Sequence, residues 1–352
     1  MLLISDIHIG FSRSAGTTPQ SQEALRTYLL TKLQETLRDT PETHLCILGD
    51  LFDTFEVAPR DWLSAYGLLS SWAYVRRLTL VAGNHDHSPK GDKVSSFQML
   101  CTVLQQSYPD HVQVIGINEY AEVTPGAVAL AHCSNQDIFD MKLAELLERV
   151  ENREVLLHAN YANGYTTNSD HSLNVSEEQA QAFIAKGCTL VFAHEHQARV
   201  ALDGGVVVLG NQWPTSVADC LGNDSKKLHV MGADTMFSIP TWQGADDAEA
   251  PFRIVDWREL GSVDLAQPGF IRVTGDASRN EAAEVVNTIA KFRSRSSAFV
   301  VTNSVRIEGI VQIEELPKTF EAAKKFDVMQ FIRKNLSERE MAVVERLAVE
   351  KE

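Results

Sequence analysis

Short apolar runs alternate with longer stretches in which apolar residues recur every three or four positions, and this rhythm holds to about residue 222. Leu2-Leu-Ile4, Leu45-Cys-Ile-Leu48, Leu78 to Val81, residues 112–116, residues 127–132, Glu154-Val-Leu-Leu157, Cys188 to Phe192 and Val206-Val-Val-Leu209 read as buried strands. A short apolar run bounded by turn residues fits a strand covered on both faces. Between them, Leu25, Tyr28, Leu29, Leu33 and Leu37 are spaced for one face of a helix, and residues 60–75 and 93–106 are amphipathic in the same way. Leu143, Leu146, Leu147 and Val150 stripe a helix over 138–150, and Ser176-Glu-Glu-Gln179 is a capping box that opens one over roughly 177–186, with Gly187 past its end. Strands and helices in alternation predict an α/β sheet whose strand carboxyl ends share one edge.

The rhythm fails elsewhere. Residues 11–20 and Asn160–Asn174 are loops by composition, the second of the kind that lines active sites, and there loop polarity accounts for Asp170 and His171 better than a ligand role does. Residues 241–252 look like an exposed excursion. A small unit follows from about 268: strand Phe270 to Thr274, helix 280–293, and strands Ala298 to Thr302 and Val305 to Ile310. Beyond Pro317, Asp327-x-x-Gln330 and Ser337-x-x-Glu340 cap two short helices with apolar stripes at Val328, Phe331, Ile332 and at Met341, Val344, Leu347. The expected units are residues 1–265, 266–315 and 316–352 (α/β core, small α/β cap, helical tail).

With 352 residues, 44% hydrophobic and 22% charged, the chain suits one large domain and a smaller one. No apolar run approaches the ~18 residues of a membrane span, and Met1-Leu-Leu-Ile-Ser-Asp6 reads as a first strand, not a signal peptide. A cytoplasmic protein with no membrane partner is expected. Five scattered cysteines (Cys46, Cys101, Cys133, Cys188 and Cys220) show no CxxC spacing, so neither a disulfide framework nor a thiolate zinc site is indicated. Against 32 basic residues stand 47 acidic ones, a net −15. Free-standing DNA-binding modules are usually basic, so any DNA substrate needs metals and a partner to supply much of the attraction to phosphate.

The chemistry gathers at strand ends. Leu2-Leu-Ile4 runs into Asp6 and His8, two apart and so on one side of an extended chain. Leu45 to Leu48 leads to Gly49-Asp50, and Leu78 to Val81 leads to Gly83-Asn84-His85-Asp86. His158 ends the next such strand, and His194 and His196 follow Cys188 to Phe192. His132, alone after its apolar run, is read as a structural or exposed residue. Taken singly, each of the others has a structural explanation; five strand ends in succession carrying metal-binding side chains do not. The oxygen and nitrogen donors, without sulfur, suit Mn²⁺, Fe or Zn²⁺ better than Ca²⁺ or Mg²⁺. Seven ligands are too many for one ion and right for two if one carboxylate bridges; ions ~4 Å apart clamp a phosphoryl group and activate a water between them. His85 is left to protonate the leaving oxygen, with Asp86 able to orient its ring.

Asp6-Ile-His8, Gly49-Asp50, Gly83-Asn-His-Asp86, His158 and His194-Glu-His196 match, in order, the motifs of the calcineurin-like metallophosphoesterases, which the chain resembles over about 190 residues. That resemblance implies a four-layer β-sandwich flanked by helices. It implies one ion held by Asp6, His8 and His196, another by Asn84, His158 and His194, and Asp50 bridging. Ser5-Asp-Ile-His-Ile-Gly10 and Gly49-Asp-Leu-Phe-Asp-Thr54 are most similar to the SbcD type, the nuclease subunit of the SbcC–SbcD double-strand-break repair complex. This implies a small α/β cap, C-terminal helices that bind the coiled coil of an SbcC-type ABC ATPase, homodimers, and Mn²⁺-dependent exonuclease and endonuclease action on DNA ends and single strands. Ala193 replaces a usual Gly, and Asn211-Gln-Trp-Pro-Thr-Ser216 replaces a Pro-Gly-Ser-type turn. The expected function is a two-metal DNA nuclease (Mn²⁺ first, with Mg²⁺, Fe or Zn²⁺ as other candidates). Its rivals are a phosphoesterase for small nucleotides, which the acidic charge favours, and a non-catalytic scaffold.

Overall fold

Neighbouring residues along several strands pack into different cores, which shows where the layers lie. In the computed structural model, which describes residues 1–11, 19–88, 93–163, 173–213, 226–232, 236–242, 252–263, 269–295 and 299–308, Ala127, Ala129, Leu156 and Val191 belong to one apolar cluster. Val128, Leu130, Val155, Leu157, Leu190 and Phe192 belong to another. Alternation of this kind follows from the two-residue period of a strand and means that the sheet is buried on both faces.

The first sheet contains β1 (Leu2–Ile4), β2 (His44–Leu48), β3 (Arg77–Val81), β4 (Val112–Ile115), β13 (Lys226–Met231) and β14 (Met236–Trp242), in the order β14-β13-β1-β2-β3-β4. β1 to β4 are parallel, and the β13–β14 hairpin joins them antiparallel through β1. The second sheet contains β5 (Tyr120–Thr124), β6 (Ala127–Leu130), β7 (Glu154–His158), β10 (Thr189–Ala193), β11 (Arg199–Ala201) and β12 (Val206–Val208), in the order β11-β12-β10-β7-β6-β5. Its four inner strands are parallel. β8 (Asn160–Tyr161) and β9 (Asn174–Val175) form a separate short ladder.

Helices α1 (Pro19–Asp39), α2 (Pro59–Ala73) and α3 (Ser96–Ser107) supply Leu33, Leu37, Leu69, Trp72, Phe97, Leu100 and Leu104 to the cluster that also fills the space between the sheets. α4 (Gln136–Arg149) and α5 (Glu177–Ile184) supply Phe139, Leu143, Leu146, Ala180 and Phe183 to the other. The layers therefore run helix, sheet, sheet, helix, the expected α/β sandwich of four layers. Small side chains (Ala127, Ala129, Ala131, Ala193) face the first sheet across the middle. Ala193 is fully buried there, so the methyl group that replaces the family's usual hydrogen has a place in the core.

A third, smaller core surrounds Ile271, Val273, Val285, Ile289 and Phe292. It is built on β15 (Phe252–Asp256), β16 (Phe270–Thr274) and β18 (Phe299–Asn303), parallel in the order β15-β16-β18, and helix α6 (Ala282–Arg295). Of the expected strand over Val305 to Ile310, the described residues, which reach 308, form β19 (Arg306–Ile307), paired with β17 (Asp276–Ala277). The sequence pattern places β15 in the first unit. Its pairing with β16 over five residues places Phe252–Asp256 with the small α/β unit instead. The expected C-terminal helices, Cys220, and Asp170 and His171 lie outside the described residues. Cys46, Cys101, Cys133 and Cys188 are buried free thiols, and no described helix is long and apolar enough to cross a membrane.

Candidate metal centre

Parallel strands in both sheets end on the same rim, and the loops that leave them are laced together. His8 and Ile9 donate backbone N–H groups to the carbonyls of Asp50 and Leu51, and Asp53 donates back to Ile9. This short ladder holds the loop after β1 against the loop after β2, so Asp6, His8 and Asp50 arrive together. Asp6, His8, Asp50 and His194 all have positive φ, from 50° to 85°. Residues other than Gly adopt that region at a cost of ~1–3 kcal/mol each, and such strain concentrates where side chains must be aimed. Four of the seven expected ligands carry it.

Two clusters result. Asp6, His8 and His196 form one, and Asp50, His158 and His194 the other, each with its potential ligand atoms within 4.8 Å of one another. His8 Nε2 lies 3.3 Å from His196 Nε2, which in turn lies 4.0 Å from Asp6 Oδ1. His158 Nε2 lies 3.3 Å from Asp50 Oδ1 and 3.0 Å from Asn84 Oδ1. Asp50 stands between them: its Oδ1 faces His158, while its Oδ2 is 3.9 Å from His8 Nε2 and 3.9 Å from His85 Nε2. All seven expected ligands and His85 are thus brought to one place.

The donor set fits divalent cations. Asp6 Oδ1 is buried and accepts no hydrogen bond, an arrangement that is costly unless a cation compensates it. His158 donates Nδ1–H to the Leu48 carbonyl in the opposite sheet, at 3.0 Å, which aims Nε2 at Asp50 and Asn84. A backbone carbonyl on the far nitrogen is how metal-binding imidazoles are commonly oriented. Burial lowers His8 and His194 to about 4, which keeps both rings neutral as ligation requires. Burial would lower His158 too, but the Asp50 carboxylate outweighs it and holds that ring up at about 9. Asp50 is correspondingly held well below the carboxylate range: burial opposes this, and the His158 ring beside it prevails. The centre attracts positive charge.

Three residues depart from expectation. The His85 ring is fixed not by Asp86 but by the Asp53 carbonyl, to which Nδ1–H donates. Asp86 acts on the backbone instead. Its buried carboxylate accepts from Gly83 N–H at 2.9 Å and Phe52 N–H at 3.4 Å, and so shapes the turn that carries Asn84 and His85. Burial and then the Asp50 charge push it up to about 7. Asp53 also places Oδ1 3.6 Å from His8 Nδ1, so it joins His8 and His85 in a third cluster that strand-end reasoning missed. Its position three residues after Asp50 in Gly49-Asp-Leu-Phe-Asp53 was the available signal. His132 is buried at the second sheet's edge of the centre, with its ring centroid 5.4 Å from that of His87, and burial lowers it to about 2. It is buried and not exposed. Asn211 and Gln212 are also buried, and Gln212 Oε1 accepts the N–H of Ser5 at 2.8 Å, so this part of the unusual turn braces the residue before Asp6.

A four-layer sandwich whose two sheets deliver carboxylates and imidazoles to one rim defines a metal-dependent phosphoesterase. Residues 1–198, more than half of the chain, match the sequence profile described as calcineurin-like phosphoesterase, and the protein belongs to that family. Among curated proteins no sequence matches. The crystal structure of Pseudomonas putida nuclease MPE is 16% identical, over 67% of this chain and 86% of that one, with a TM-score of 0.28. So slight a likeness carries no argument.

Proposed function

We propose that the protein is a DNA nuclease that hydrolyses phosphodiesters with two divalent ions, Mn²⁺ first among them. In this reading it is a cytoplasmic, homodimeric subunit that works beside an SbcC-type ABC ATPase. The placement of Asp50, one oxygen toward each cluster, carries the two-ion reading. Asp6, His8 and His196 would hold one ion and Asn84, His158 and His194 the other, with Asp50 shared. Bound there, such ions supply Lewis-acid polarisation of a phosphoryl oxygen and an activated water.

The chain's own residues complete the chemistry. His85 is the most exposed imidazole of the centre, with 37% of its side chain accessible, and the Asp53 carbonyl keeps Nδ1 occupied. Nε2 is therefore the nitrogen that delivers a proton to the departing sugar oxygen. Asp86 holds the turn beneath it. DNA as the substrate is supported by the likeness of Ser5 to Gly10 and Gly49 to Thr54 to the SbcD type, and by a separate α/β unit after the core. The net charge of −15 favours the alternative, a small nucleotide diester.

Nucleotide release from an end-labelled duplex with Mn²⁺, compared with hydrolysis of bis(p-nitrophenyl) phosphate, tests the choice. Faster turnover of the duplex is expected. His85→Ala should lower kcat by about 10²–10⁴-fold, the usual worth of a general acid, while two ions still bind. Turnover of the small diester alone would replace DNA as the substrate, and full activity of His85→Ala would remove the role given to that residue.

A further inference from the structure

The turn that carries His194 and His196 is fastened at three consecutive residues to three different places. His194 N–H donates to Asp6 Oδ2 at 3.1 Å, after β1. The His196 carbonyl accepts from the buried Lys226 ammonium at 2.7 Å, on β13. Between them, Glu195 Oε1 accepts Tyr161 N–H at 2.8 Å, on the short strand that follows His158. Arg199, one helical turn's length further along the chain, donates from Nη2 to Glu195 at 2.8 Å and to the Tyr161 carbonyl at 2.7 Å. Glu195 and Arg199 together therefore satisfy both backbone groups of Tyr161, as a neighbouring strand would. The guanidinium also lies 5.3 Å from the centroid of the buried Tyr161 ring.

His194 and His196 face different clusters. A single turn thus faces one imidazole to each of the two clusters, and beyond the pairing of its strand with that of His158 the Glu195–Tyr161 link ties it to the strand that follows His158. We propose that Glu195, braced by Arg199, is a positioning residue that sets the geometry of both ion sites at once. This rests on the two-ion reading above. Partners that orient metal ligands without touching the metal are worth about 10–100-fold in affinity when removed, and a site is only as accurate as the shell that supports it.

Calorimetric titration of metal-free full-length protein with Mn²⁺, well below the unfolding temperature, reads this without any substrate. Wild-type protein should take up two ions. Glu195→Ala should weaken both steps by about 10–100-fold. Glu195→Gln, which keeps an oxygen for Tyr161 N–H, should stay much closer to wild type than Glu195→Ala does. Should Glu195→Ala not fold, Arg199→Met offers the same comparison with the link loosened and not removed, and weakening of both steps is again expected. Wild-type affinity at either step in folded Glu195→Ala, or in Arg199→Met where Glu195→Ala does not fold, overturns the proposal. Uptake of fewer than two ions by the wild type overturns the two-ion reading itself, and the proposal with it.

Discussion

A side chain placed on Gly83 would collide with the Asp50 carboxylate and backbone, and one on Gly49 would collide with the His158 ring. The sequence shows both glycines just ahead of expected ligands, where they read as turn-makers. In the folded protein Gly49 does turn the chain, with φ of +82°, but each glycine also leaves room for a ligand that arrives from another strand. Gly83→Ala should therefore shift Asp50 and lower Mn²⁺ affinity by about 10-fold or more, judged by the usual effect of disturbing a ligand's supports. Mn²⁺ titration checks it, and unchanged two-ion binding would show that Asp50 has slack. The types and order of the ligands were legible because they sit at strand ends, where side-chain direction follows from the pleat. What holds each one was not. Asp53 fixes His85 through its carbonyl, a group every residue has, so nothing in the side-chain pattern marks it.

At the scale of elements, the sequence is most informative where a strand is buried on both faces. β1, β2, β3, β7 and β10 fall within a residue or two of expectation, since burial on both sides leaves a continuous apolar run. β13 and β14 are not legible because they extend one edge of the sheet, and they mix Lys226, Lys227 and Pro240 with exposed Phe237 and Ile239. Charge and proline are tolerated on such strands, and there they erase the pattern. Helix starts are readable where capping chemistry is present. The box at Ser176 and Gln179 forms as expected, with Gln179 N–H to Ser176 Oγ at 3.1 Å and Ser176 N–H to Gln179 Oε1 at 2.8 Å. The same spacing in Ser95-Ser-Phe-Gln98 proves to be the cap of α3. There Ser95 Oγ accepts Gln98 N–H at 3.0 Å and donates to the Asp86 carbonyl at 2.6 Å, which ties the helix start to the turn beneath His85. Ser95→Ala should cost about 1 kcal/mol for the cap and about 1 kcal/mol more for the second bond. Urea unfolding should show a lower midpoint at unchanged slope; an unchanged midpoint would mean that α3 and the turn hold together without this serine.

For the whole molecule, the decisive fact is which sheet each ligand comes from. Asp6, Asp50 and Asn84 leave strands of the first sheet, and His158, His194 and His196 belong to strands or strand ends of the second. In the protein alone the sheets meet through apolar packing and through hydrogen bonds such as those of His158 to Leu48, His194 to Asp6 and Lys226 to His196. Two ions sharing Asp50 would join the sheets at the rim where the strained backbones lie. Binding that is restricted to the folded state adds about 2.7 kcal/mol per ion at a free concentration 100 times Kd. Removal of metal should therefore lower Tm, and it should do so unevenly. Amide exchange should quicken at the carboxyl ends of β1, β2, β7 and β10, where the two sheets lose their joint. It should stay unchanged in β15, β16 and α6, whose core is separate and holds none of the ligands. Exchange measured with and without a chelator distinguishes the outcomes. A uniform rise that includes the small α/β unit would point to general destabilisation, and no rise at the rim would mean that the sandwich holds its ligands in place without the ions.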